Sequence, residues 1–91
     1  MKVEKSNRKN KRYVAIFNDG NRIHFGFKGG STYLDHKDKT KRKNYIARHE
    51  VLEKKFYNDP RRPATLSRFI LWGDATNLNQ AIKDYEKKFN V

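Results

Sequence analysis

The stretch RYVAIFNDGNRIHFGFK, residues 12–28, decides the fold. Residues 12–18 place Tyr13, Ala15 and Phe17 on one face of a strand and Val14 and Ile16 on the other. Residues 22–28 place Ile23, Phe25 and Phe27 on one face, with His24, Gly26 and Lys28 opposite. Between them lies Asn18-Asp19-Gly20-Asn21, and Asp-Gly favours the positive φ of a tight turn. Period two on both sides of a turn signal predicts a β-hairpin with one apolar face. Gly29-Gly30 ends it, and Phe25 and Phe27 are expected in the core rather than at a ligand.

Beyond the hairpin the period changes to that of a helix. From Lys39 to Phe56, Tyr45, Ile46, His49, Leu52 and Phe56 share one stripe, which predicts an amphipathic helix. Asp38 or Thr40 can cap its start, and Asn58-Asp59-Pro60 stops it. Thr65 is expected to cap a short helix carrying Leu66, Phe69 and Ile70, with Trp72 as a lid and Gly73 as a breaker. Thr76 or Asn77 caps the last helix, where Leu78, Ile82, Tyr85 and Phe89 form the stripe. A lone hairpin is marginal, so it must pack on these helices. The expected fold is α+β: an N-terminal hairpin on two amphipathic helices and one short one, in a single domain over residues 12–91. Residues 1–11, MKVEKSNRKNK, have few apolar anchors and are expected to form a flexible basic arm.

Among 91 residues, 22 are Lys or Arg and 10 are Asp or Glu, for a net charge of +12. Eleven of those units fall in residues 1–12 and 37–62. Such self-repulsion opposes compaction unless a polyanion relieves it, so the expected partner is nucleic acid, held through its phosphates. DNA is favoured over RNA. Lys37, Lys39, Lys41, Arg42 and Lys43 crowd the first turns of the first helix, where the macrodipole is positive and cations are unfavourable. A phosphate there would meet lysines, dipole and free N–H groups together; the structural alternative is a solvated charge run. Arg48 can extend that face. Lys5, Arg8, Lys9, Lys11 and Arg12 are the basic residues assigned to phosphate contact at the N-terminus. Lys28 follows the hairpin, and Arg61-Arg62 can grip phosphates as forks. Tyr33, after the glycines, is the candidate for stacking an unpaired base.

Other chemistries find little support. There is no Cys, and His24, His36 and His49 lie on different elements without a close-spaced ligand pair, so neither a metal nor another cofactor is expected. No phosphate loop, nucleophile elbow or paired carboxylate argues for an enzyme. No apolar run reaches the roughly 18 residues of a membrane span, and the N-terminus lacks a secretory signal, so an intracellular setting is expected.

Five blocks carry a family likeness: Phe25-Gly26-Phe27-Lys28-Gly29; Tyr45-Ile46-Ala47-Arg48-His49; Asn58-Asp59-Pro60; Leu66-Ser67-Arg68-Phe69-Ile70-Leu71-Trp72; and Ile82-Lys83-Asp84-Tyr85-Glu86-Lys87-Lys88-Phe89. From about Arg12 to Phe89 the chain resembles small uncharacterised proteins encoded by giant nucleocytoplasmic DNA viruses. It departs at Phe27, often Ala there, and at Phe69, often Trp. The resemblance implies a viral source, a genome to be condensed, and a place in the virion or viral factory. It implies no activity, cofactor or catalytic residue. The expected function is therefore sequence-independent DNA binding in genome packaging. The alternative is a small structural virion protein that bridges larger capsid or core components, oligomeric state open.

Overall fold

In the computed structural model, which spans residues 1–91, the expected hairpin is formed by β2 (Lys11–Ile16) and β3 (Arg22–Phe27). Phe17 N–H donates to Asn21 O and Gly20 N–H to Phe17 O, and Gly20 takes φ +88° to close the loop. Tyr13 lies opposite Phe25 and Ala15 opposite Ile23. The chain is an α+β domain.

The N-terminal arm is corrected. Lys2–Lys5 forms strand β1, antiparallel to β2, with Val3 opposite Ala15 and Lys5 opposite Tyr13. The sheet order is β1-β2-β3. Without β1, the outer backbone groups of β2 would be unpaired, and Val3 and Met1 add apolar packing against the core. Charged neighbours around a single valine hide this strand in the sequence, and lysines on an edge are a usual guard against mispairing.

One sheet face carries Ala15, Phe17 and Phe25 into the core. Phe27 is corrected to the surface at 68% exposure. Gly26 adopts φ +78°, which ends the in–out alternation after Phe25. A Cβ there would also meet Leu71 Cδ1 at 3.0 Å and Arg12 Cβ at 3.2 Å. Only glycine suits that site.

A four-residue helix, α1 (Tyr33–His36), follows the glycines and was not expected. Thr32 N–H and Thr32 Oγ1 both donate to Asp35 Oδ2, at 2.7 and 2.9 Å. Helix α2 (Lys39–Glu53) starts at Asp38, whose Oδ1 accepts from Thr40 and Lys41 N–H. A single 3-10 turn, Lys54–Phe56, carries it to the expected end. Its amphipathic role is corrected: no residue of α2 is fully buried, and Leu52 is 73% exposed. It docks at the periphery through Tyr45, whose ring stacks on Trp72.

Helix α3 (Pro63–Leu66) begins at Pro63 rather than at a Thr65 cap, since proline suits the first helical position. Thr65 is buried instead, its Oγ1 donating to Phe56 O. The chain continues as a π-helical segment, Ser67–Leu71, closed by Trp72 N–H to Ser67 O. Helix α4 (Leu78–Phe89) is capped by Asn77 Oδ1, which accepts from Gln80 N–H. Leu66, Ile70 and Leu71, with Ala81 and Tyr85 of α4, cover the sheet. Tyr85 is fully buried, and its hydroxyl donates to Pro60 O at 2.6 Å.

Candidate nucleic-acid interface

The β-sheet register brings part of the basic N-terminus to one place. β1 ends, β2 begins and β3 ends at the same edge of the sheet, because Lys5 faces Tyr13 and Lys11 faces Phe27. The loop between β1 and β2 is tied down by Ser6 N–H to Arg12 O, Lys11 N–H to Arg8 O, and Lys28 N–H to Asn10 O. Lys5, Arg8, Lys9, Lys11 and Lys28 therefore share this edge on an ordered backbone. Beneath them, Ser6 Oγ lies 2.7 Å from His24 Nδ1. Burial, then Arg8, Arg22 and Lys11, hold the His24 imidazole below its ordinary pKa. Burial is the larger cause, and the nearby cations add to it because they disfavour a further positive charge.

A second group lies at the start of α2. Lys37, Lys39, Lys41 and Lys43 are exposed, as is Arg48 further along. The expected free N–H groups are corrected, because the Asp38 carboxylate already accepts from two of them. Those bonds, first from Lys41, hold Asp38 below the usual carboxylate range. A phosphate here would meet lysine side chains rather than the helix terminus.

Three arginines assigned to phosphate contact are instead structural. Arg12 donates two bonds to Asp35, at 2.7 and 2.6 Å, and so pins α1 to β2. That pairing holds the Asp35 carboxyl well below its usual range. Arg42 Nε donates to Trp72 O and Gly73 O while Nη2 reaches Asp74. Arg61 Nη1 grips both oxygens of Asp19, and its guanidinium sits 4.5 Å from the Phe17 ring centroid. Arg62 is half-exposed, 3.5 Å from Asp59 and over the Phe56 ring. In each case a carboxylate distant in sequence or an aromatic face takes the guanidinium, which separates arginine from the compact, hydrated lysine ammonium. All six ion pairs use arginine, His49 or the N-terminal ammonium, and none uses a lysine.

Tyr33 is also corrected. It is only 5% exposed, packed at the start of α1 with the Arg42 guanidinium 5.5 Å from its ring centroid, and offers no face for a base. The pattern Thr32-x-x-Asp35 is a capping box, and that signal would have placed Tyr33 on a helix. The exposed aromatic is Phe27, which periodicity assigns to the core and Gly26 removes from it. The histidines lie apart: His24 on Ser6, His36 Nδ1 accepting from Asp38 N–H, and His49 on Glu53. No helix is long and apolar enough to cross a membrane.

The profile of a family of unknown function (DUF5754) fits residues 1–49, from β1 through α1 and into α2. No curated protein and no solved structure matches the chain.

Proposed function

The chain belongs to the family of unknown function DUF5754, and we propose that it binds DNA through phosphates, without reading base sequence. One observation carries the proposal: the lysines are unpaired while the structural ion pairs fall to arginine, and five cations share one edge of a rigid sheet. Ammonium groups so placed suit phosphates, whose neutralisation releases counterions and drives binding. The α2 lysines and Arg48 supply a second set of contacts. The resemblance to giant-virus proteins supports a role in packaging or organising a genome, within a virion or viral factory.

A mobility-shift titration of duplex DNA over a salt series tests this. With about six phosphates neutralised, log K falls against log salt with a slope near −5. A slope shallower than about −2, or no complex at roughly 50 mM salt, removes the proposal.

A second reading, a small virion protein between larger components, is favoured by Val51 and Leu52, 83% and 73% exposed side by side on α2. Apolar side chains so placed suit a protein partner. A chain that ignores duplex DNA at low salt belongs to this second reading.

A further inference from the structure

Phe27 stands at the rim of a cleft of about 440 Å³ between the Gly29-Gly30 loop, α2 and the start of α3. That volume is in the range of small-ligand sites, about 300–1,000 Å³. Lys11, Tyr45, His49, Glu53 and Trp72 also line it. The exposed ring is held there by backbone rather than chance. Gly26 at φ +78° turns it out of the core, and its Cδ1 lies 3.5 Å from where a Cβ of Gly30 would stand. Across the cleft the rings of His49, Tyr45 and Trp72 form a continuous stack, with centroids 4.0 and 4.1 Å apart.

We infer that this cleft receives an unpaired nucleobase from the strand whose phosphates the neighbouring cations hold. The inference rests on the phosphate-binding reading above. The lining selects among ligands. Glu53, held at Oε1 by His49 Nδ1, repels a phosphate inside the cleft. Its Oε2 has no hydrogen-bond partner in the protein and can accept a ring or amino N–H. A cationic guest would suit the aromatic rings, but Lys11 in the wall and a net charge of +12 oppose it. An uncharged flat ring with N–H donors, tethered to an anionic backbone, meets all three conditions. Phe27 offers it an apolar face, Glu53 an acceptor, and Lys11, directly across the sheet from Phe27, a contact for its phosphate. A base stacked within a duplex has both faces covered, so one that stacks on Phe27 must be single-stranded or extruded.

Trp72 is the sole tryptophan and lines the cleft, so its fluorescence reports occupancy. The test titrates the full chain with a short single-stranded DNA of mixed sequence and with an abasic DNA of equal length and charge. The expected result is equal salt slopes for both, about tenfold or more tighter binding of the base-bearing strand, and a change in Trp72 emission with that strand alone. Phe27→Ala should abolish the preference without lowering the melting temperature or abasic affinity, and Phe27→Tyr should retain it. Equal affinities with no change in Trp72 emission overturn the base site while leaving phosphate binding intact. Failure of both single strands overturns the base site, and failure of duplex DNA as well overturns the phosphate reading.

Discussion

Tyr45 of α2 and Trp72 beyond α3 lie face to face, with ring centroids 4.1 Å apart and planes 4° from parallel. His49 extends this stack on the far side of Tyr45, and the His36 ring lies tilted against Trp72 at 5.3 Å, so aromatic rings tie α2 to the segment beyond α3. Burial beneath α2 pushes the Tyr45 phenol up from its ordinary pKa. A helix without a fully buried residue depends heavily on one such contact.

Truncating that contact should therefore loosen α2 selectively. Tyr45 is only partly buried whereas Phe25 is fully buried, so Tyr45→Ala is expected to cost less than Phe25→Ala, which empties the core for about 3–5 kcal/mol. Denaturant unfolding gives the two stabilities. Hydrogen exchange should show α2 amides losing protection in Tyr45→Ala while sheet amides keep theirs. Uniform loss across the chain would mean that α2 is integral to the cooperative unit.

Deleting residues 1–5 removes β1, Val3 and the bond from the Met1 ammonium to Glu86. Thermal unfolding should show a fall of several degrees, about 4–8 °C per kcal/mol lost in a domain near this size. Replacing Lys5, Arg8 and Lys9 by Gln in the intact chain should leave the melting temperature nearly unchanged and flatten the salt slope of DNA binding. An unchanged melting temperature on deletion would return the segment to a flexible arm.

At the start of α2, lysine and arginine should respond with opposite signs. Lys39, Lys41 and Lys43 face the positive end of the dipole, so Gln at each should raise stability by about 0.3 kcal/mol and weaken binding to every sequence alike. Arg42→Gln removes bonds to two backbone carbonyls and should destabilise by about 1–3 kcal/mol. Its link to Asp74 adds little, because that carboxylate is almost wholly exposed. A destabilised lysine triple variant, with binding per folded molecule intact, would assign those lysines to structure.

His24 supplies a pH readout of the sheet edge. Its folded pKa lies below the unfolded value of about 6.5, so the unfolded chain binds the extra proton and stability falls as pH drops below that value. Bound phosphates would neutralise Arg8 and Lys11, so duplex DNA should raise the His24 midpoint in an NMR titration. No movement on saturation would place the phosphates elsewhere.

Alternation about Asp19-Gly20, the starts of α2 and α4 with each cap narrowed to two residues, the stripe of α4 and the net charge are local or additive properties, and all were legible in the chain before it was folded. The sequence by itself thus determined an α+β domain with a strongly basic surface. Tertiary structure decided which cations are free. Arg12, Arg42 and Arg61 find their carboxylates 23, 32 and 42 positions away, and no window of periodicity registers such distances. It also drew the basic N-terminus into β1, sank Tyr33, and lifted Phe27 to the surface. Each outcome turned on a partner strand, a helix cap or one glycine at positive φ, and pairing or backbone geometry there outweighed side-chain hydropathy.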